Sequence, residues 1–179
     1  FTGHKWACGP EGLGGVAVSE RVISESSPTL IGWRSLKGER ITSTNIEDSF
    51  FDDSRRFEIA TSCVPLLAGL KCSLDLLEKE GTISERTLKI RNLSSELWEY
   101  LNKIEGITPL LKGPPPSGLV SFVMSNIDSP KRIVKMLGKE NIWIRYLDDP
   151  SCLRACVNIT SESKEISKLA KALKNITDQ

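Results

Sequence analysis

An α/β chain that turns α+β in its C-terminal portion is predicted by three features of this sequence. Leucines recur at helical spacing between residues 62 and 105, short apolar runs bounded by Gly and Pro occupy 107–159, and the last segment returns to a helical period. The resulting order of helix, strand, strand, helix, strand, strand, helix predicts a small sheet covered on one face by helices.

Taken in order, Gly12–Ser19 reads as a turn feeding a short apolar strand, and residues 24–56 as a Ser-, Thr-, Gly- and Asp-rich loop with a short strand or two. Such a long irregular stretch is unusual in a compact domain unless it lines a functional surface. From Ser62, Leu66, Leu70, Leu74 and Leu77 mark one helical stripe, with Pro65 in the first turn and Gly81 at the end. A second helix over 84–105 places Ile90, Leu93, Leu97, Leu101 and Ile104 on one face. Ile107–Leu111 and Leu119–Met124 read as strands, separated by the stiff Gly113-Pro114-Pro115-Pro116-Ser117-Gly118 loop. Asp128-Ser129-Pro130 reads as the cap of a helix running to Gly138. Strands are expected at Ile142–Tyr146 and Leu153–Ile159, joined by an Asp148-Asp149-Pro150 turn. The last helix, 162–175, turns Ile166, Leu169, Ala170 and Leu173 inward.

Composition narrows the function classes. The 179 residues carry a net charge of +1, with Lys and Glu interleaved, so no strong field directs the chain to nucleic acid or to an anionic membrane. No apolar run approaches the roughly 20 residues of a spanning helix. The five cysteines fit neither a zinc pattern nor a disulfide framework, and read as free thiols in a reducing compartment.

The chemistry-bearing residues form three groups. The first is Thr2-Gly3-His4-Lys5-Trp6, followed by Cys8-Gly9-Pro10-Glu11-Gly12-Leu13-Gly14-Gly15. A lone lysine is a solvated charge in most proteins. Here glycines let the backbone pass close to a ligand, and hydroxyl and imidazole donors flank the amine, a combination suited to phosphate. An amine that attacks an aldehyde needs burial and nearby positive charge to lower its pKa. No Gly-Lys-Ser/Thr P-loop and no GxGxxG competes. The second group is Arg56-Phe57-Glu58-Ile59-Ala60-Thr61-Ser62, where Thr61 opens a helix and acts either as an N-cap or as an anion ligand. The third is Arg145 and Arg154 around Asp148-Asp149-Pro150. Guanidinium forks match carboxylates, although two isolated arginines also read as solvated charges. The apolar flank Ile142-Trp143-Ile144 predicts a buried Arg145.

In this order the three groups resemble the class V aminotransferases, fold-type I pyridoxal-phosphate enzymes that include cysteine desulfurases and cyst(e)ine C–S lyases. The resemblance runs from Thr2 to the last helix and implies the C-terminal part of a longer enzyme. It implies that residues 1–80 end a large cofactor domain, 81–105 form a connecting helix, and 106–179 a small C-terminal α+β domain. Lys5 would hold pyridoxal 5'-phosphate as a Schiff base, and Thr2 and His4 would bind its phosphate. Thr61 would reach the phosphate of the partner subunit in a homodimer, and Arg145 and Arg154 would grip the carboxylate of cysteine or cystine. Ala60, where many relatives have glycine, fits the cystine-lyase side. Desulfurases need a mobile-loop cysteine near the arginine to accept sulfur. The loop between Arg145 and Arg154 is short, its only thiol is Cys152, and Cys8 reads as packing. The resemblance therefore implies α,β-elimination to pyruvate and ammonia, in the cytoplasm or a plastid. Desulfurase or transaminase chemistry is the alternative, and a cofactor-free association module is the alternative from another class.

Overall fold

The computed structural model describes residues 1–38, 44–125 and 129–178. Residues 39–43 of the expected loop, and Asp128 of the expected helix cap, lie outside them. Two compact units result, Phe1–Leu77 and Glu78–Gln179.

The first unit is mostly irregular. Its helices are α1 (Glu20–Glu25) and α2 (Val64–Lys79), with 3-10 turns at Trp33–Ser35, Ile46–Ser49 and Ser54–Phe57. No strand forms over Gly12–Ser19. Gly14 makes only an isolated bridge to Thr2, and Ser19 instead caps α1 by accepting the Val22 N–H at 3.4 Å. The strand expectation fails because the apolar run there has no neighbour to complete a ladder, and Val16 stays exposed. Along α2, Leu70 is buried and Leu66 and Leu77 are half-buried, whereas Leu74 is exposed. Among the described residues of this unit the buried large apolar side chains are Phe50 and Leu70, while Leu30, Trp33 and Val64 are more than 60% exposed.

One arginine organises the irregular stretch. Arg56 donates to the Ile23 carbonyl at 2.9 Å and to Glu47 at 2.7 Å, and its guanidinium lies 5.7 Å from the Phe50 ring centre. The 24–56 segment is thus tied together by a cation rather than by periodic apolar contacts.

The second unit starts with α3 (Ile83–Asn102), whose Thr82 and Glu85 form a reciprocal capping box. Then come β1 (Ile107–Pro109), β2 (Leu119–Met124), α4 (Pro130–Lys139), β3 (Arg145–Asp148), β4 (Ser151–Cys156) and α5 (Ser163–Thr177). The sheet is antiparallel throughout, in the order β1-β2-β4-β3. Val120 and Phe122 of β2 and Leu153 and Ala155 of β4 alternate onto one face. There they meet Leu97 and Leu101 of α3, Ile133 and Leu137 of α4, and Ile166, Leu169 and Leu173 of α5 in one apolar core. Burying each such side chain contributes about 1.5–3 kcal/mol. Pro130 occupies the first position of α4, but Ser129 makes no side-chain cap bond.

The last hairpin differs from expectation. β3 begins at Arg145 rather than Ile142, and β4 runs from Ser151 rather than Leu153 and ends at Cys156 rather than Ile159. Pairing stops at Arg145–Arg154, because Ile142–Ile144 diverge from β4 while the Val157 N–H turns to the Gly118 carbonyl at 2.7 Å. An apolar run marks buried chain without saying which part of it is laddered.

Candidate active site

In the first unit the backbone of residues 2–14 closes on itself. The Gly3 N–H donates to the Leu13 carbonyl at 2.9 Å, the Gly9 N–H to the Gly3 carbonyl at 2.8 Å, and the Cys8 N–H to the Lys5 carbonyl at 3.0 Å. Cys8 reverses the chain in the left-handed region at φ 53. Close approach explains the glycines: a Cβ on Gly9 would sit 2.7 Å from Leu70 Cδ1, and one on Gly3 would sit 2.8 Å from the Leu13 oxygen. The Ser73 hydroxyl donates to the Cys8 carbonyl at 2.8 Å, fastening the turn to α2.

This frame presents Thr2, His4 and Lys5 together, all exposed. None of the three side chains has a hydrogen-bond or ion-pair partner among the described residues. The expected burial of Lys5 is not met within this chain. Its turn is held by main-chain bonds beneath it, and no described residue of the unit closes over the amine. A hydroxyl, an imidazole and an amine, adjacent and unengaged, suit a phosphorylated aldehyde.

Thr61 is also exposed, and it precedes α2 by more than a cap position. The Cys63 carbonyl accepts the Leu66 and Leu67 N–H groups, so Cys63 stands at the helix start and Thr61 two residues before it. Its hydroxyl is not spent on capping. Arg56, from the same motif, serves the fold through Glu47 and Ile23.

In the second unit the register places Arg145 directly opposite Arg154, and Arg154 directly opposite Ser121. Leu153 and Ala155 face the core, so alternation turns Arg154 to the sheet face away from the helices. Side chains so paired have Cβ atoms about 4.5–5.5 Å apart, and like charges there repel. No salt bridge among the described residues engages either guanidinium. The pair is therefore a place where an anion relieves a cost already present in the fold. Arg145 is exposed and Arg154 half-buried, which reverses the sequence-based expectation of a buried Arg145. The apolar flank does not cover it, because Trp143 itself is 78% exposed.

Two thiols lie near this row. Cys152 is within β4, 1% exposed, beside a cavity of about 170 Å³ lined by Val123, Met124, Pro130 and Ile133. Cys156 follows Arg154 by two residues on the same face. Partial cover of its sulfur pushes that thiol up from its ordinary pKa, with the Arg154 charge opposing. Neither cysteine sits on a mobile loop. No local pattern marks Ser121 or Cys156 as neighbours of the arginines, since cross-strand neighbours follow from register alone.

Among the described residues no helix is long and apolar enough to cross a membrane, and no group of His, Cys, Asp and Glu could hold a metal ion. A model of the family "Aminotransferase class-V" matches residues 1–169. A protein named probable cysteine desulfurase from Methanothermobacter thermautotrophicus is 26% identical over 98% of this chain and 46% of its own length. Among solved structures, the cystine C–S lyase C-DES in complex with its product cysteine persulfide is 36% identical, with a TM-score of 0.87. A lysine-to-alanine mutant of C-DES, with glycine covalently linked to the PLP cofactor, is 35% identical with a TM-score of 0.90. Both matches cover 98% of this chain and 45% of the other. The cysteine desulfurase CsdA of Escherichia coli, at 21% identity and a TM-score of 0.77, shares the fold. The chain spans about half the length of these relatives.

Proposed function

The chain belongs to the class V aminotransferase family, and from that premise we propose that it is part of a pyridoxal-phosphate enzyme cleaving the C–S bond of cysteine or cystine by α,β-elimination. The observation that carries this reading is the unengaged trio Thr2, His4 and Lys5 on a turn held by its own backbone. Lys5 is the residue that would bond the cofactor aldehyde, and Thr2 and His4 would donate to its phosphate. Thr61 would donate to the phosphate held by a second copy in a homodimer. Arg154, with Arg145 opposite, would hold the substrate carboxylate and so orient the Cα–H bond for removal.

When bound, pyridoxal phosphate supplies the electron sink that makes the Cα proton acidic. The Lys5 amine would take and hold that proton, with sulfur leaving as sulfide from cysteine or as cysteine persulfide from cystine, and water accounting for the release of pyruvate and ammonia. Residues 1–80 would end the cofactor domain, 81–105 would form the connector and 106–179 the small domain. The exposed Leu30, Trp33 and Val64 support further protein packing on the first unit. Five free cysteines suit a reducing compartment, cytoplasm or plastid.

Elimination is favoured over sulfur transfer by the two thiols beside the arginine pair. A persulfide acceptor must be exposed, mobile and readily ionised, whereas Cys152 is buried in a strand and the Cys156 pKa is raised. The test is to incubate the whole enzyme, loaded with pyridoxal phosphate, with cystine and measure pyruvate. Alanine accumulating in place of pyruvate would convert the reading to desulfurase, the activity named in the archaeal relative. Absence of cofactor absorbance that depends on Lys5 would remove the enzymatic reading altogether.

A further inference from the structure

One stripe of α2 is covered, and the turn that carries Lys5 covers it. Leu66, Gly69, Leu70, Ser73 and Leu77 are the residues of α2 that are not exposed, spaced three and four apart along one face. The first four meet the turn. A Cβ on Gly12 would lie 3.5 Å from Leu66 Cδ1, and one on Gly9 only 2.7 Å from Leu70 Cδ1. A Cβ on Gly69 would lie 3.3 Å from Pro10 Cγ, and the Ser73 hydroxyl donates to the Cys8 carbonyl at 2.8 Å. The contacts at Leu66, Gly69 and Leu70 are apolar, so they set how near the turn comes without setting its direction. The Ser73 bond fixes both.

That bond falls at a telling place. It holds the carbonyl of Cys8, a non-glycine residue in the left-handed region at φ 53, a conformation that persists only where its surroundings impose it. The Cys8 N–H in turn donates to the Lys5 carbonyl at 3.0 Å. Through Cys8, two hydrogen bonds thus join α2 to the main chain of Lys5. The Lys5 side chain has no partner among the described residues, so the aim of its amine depends on where that main chain is held.

We propose that Ser73 is a positioning residue for the Lys5 amine, holding it where it meets the aldehyde of pyridoxal phosphate. The proposal rests on the reading of Lys5 as the residue that bonds the cofactor. A serine inside a helix is a poorer helix former than alanine, and the Cys8 carbonyl is what its hydroxyl gains there.

The test compares the whole enzyme with its Ser73→Ala and Ser73→Thr variants. Alanine does not weaken α2, and threonine keeps the hydroxyl. In the cofactor-free enzyme, hydrogen exchange at the Cys8 and Gly9 amides should quicken several-fold in Ser73→Ala and stay near wild type in Ser73→Thr. On titration with pyridoxal phosphate, the visible absorbance of cofactor bonded to Lys5 should need about fivefold more cofactor in Ser73→Ala, the worth of one hydrogen bond. Ser73→Thr should load as wild type does. Unchanged exchange at both amides in Ser73→Ala, faster exchange with cofactor loading unaffected, or no rescue by Ser73→Thr would each overturn the proposal. A wild-type enzyme whose cofactor absorbance does not depend on Lys5 would remove the functional reading, and the proposal with it.

Discussion

Replacing Arg56 by methionine tests whether a single cation organises the irregular half of the first unit. The side chain is 12% exposed and its partner Glu47 is 38% exposed. Methionine keeps the apolar contact with Phe50 but deletes the charge-assisted bond to the Ile23 carbonyl, worth about 1.5–3 kcal/mol. It also deletes the pair with half-exposed Glu47, worth about 1 kcal/mol after solvent screening. The expected loss is about 3 kcal/mol, which lowers a urea midpoint by roughly 1–2 M. Glu47→Gln alone should cost about 1 kcal/mol, because Arg56 then keeps its carbonyl. Urea melts of both variants followed by circular dichroism supply the comparison. Arg55→Met is the control, since Arg55 pairs with Asp53 in solvent and should change little. If the Arg56 variant unfolds at the same urea concentration as the Arg55 variant, the cation does not hold the segment.

Other expectations follow from the same contacts. Phe122→Ala empties a fully buried site in the sheet core and should destabilise by about 3–5 kcal/mol in a denaturant melt. Hydrogen bonds from Arg55 lower the Asp53 carboxyl to about 2. A folded pKa below the unfolded value of 3.8 means its stabilisation is present above pH 4 and lost as pH falls towards 2. Because the pair lies in solvent, Asp53→Asn should flatten that part of the acid-unfolding profile only slightly. Cys152→Ser in the whole enzyme should leave sulfur release from cystine unchanged, whereas a large loss with the fold intact would make that thiol an acceptor. On the proposed role of Arg154, Arg154→Gln should raise KM for cystine more than it lowers kcat, and it should raise the Cys156 thiol pKa further by removing the opposing charge.

Periodicity carried much of the fold. The stripes through Leu97 and Leu101, and through Ile166, Leu169 and Leu173, predicted helices whose buried residues lie where expected. Leu119–Met124 is strand to the residue. Failures came where local pattern gives no direction. Gly12–Ser19 is apolar enough for a strand but lacks a partner, and α1 is too short for a helical period to register. The 24–56 stretch is organised by Arg56, whose partners Ile23 and Glu47 are 33 and 9 residues away. For the candidate site, residue types were legible at Thr2, His4, Lys5, Arg145 and Arg154, but exposure was not. Arg145 was misread because its flanking apolar residues alternate rather than surround it. Its position opposite Arg154 depends on register, which no local signal encodes.

The turn bearing Lys5 rests on amide-to-carbonyl bonds and on glycines pressed against Leu13 and Leu70, with nothing contributed by the lysine's own side chain. An alanine at that position would therefore leave a ready-made mould. On the proposed function, such a variant should still admit cofactor and amino acid while unable to turn them over, making it the natural starting point for trapping what the proposed site selects from a mixture of sulfur compounds.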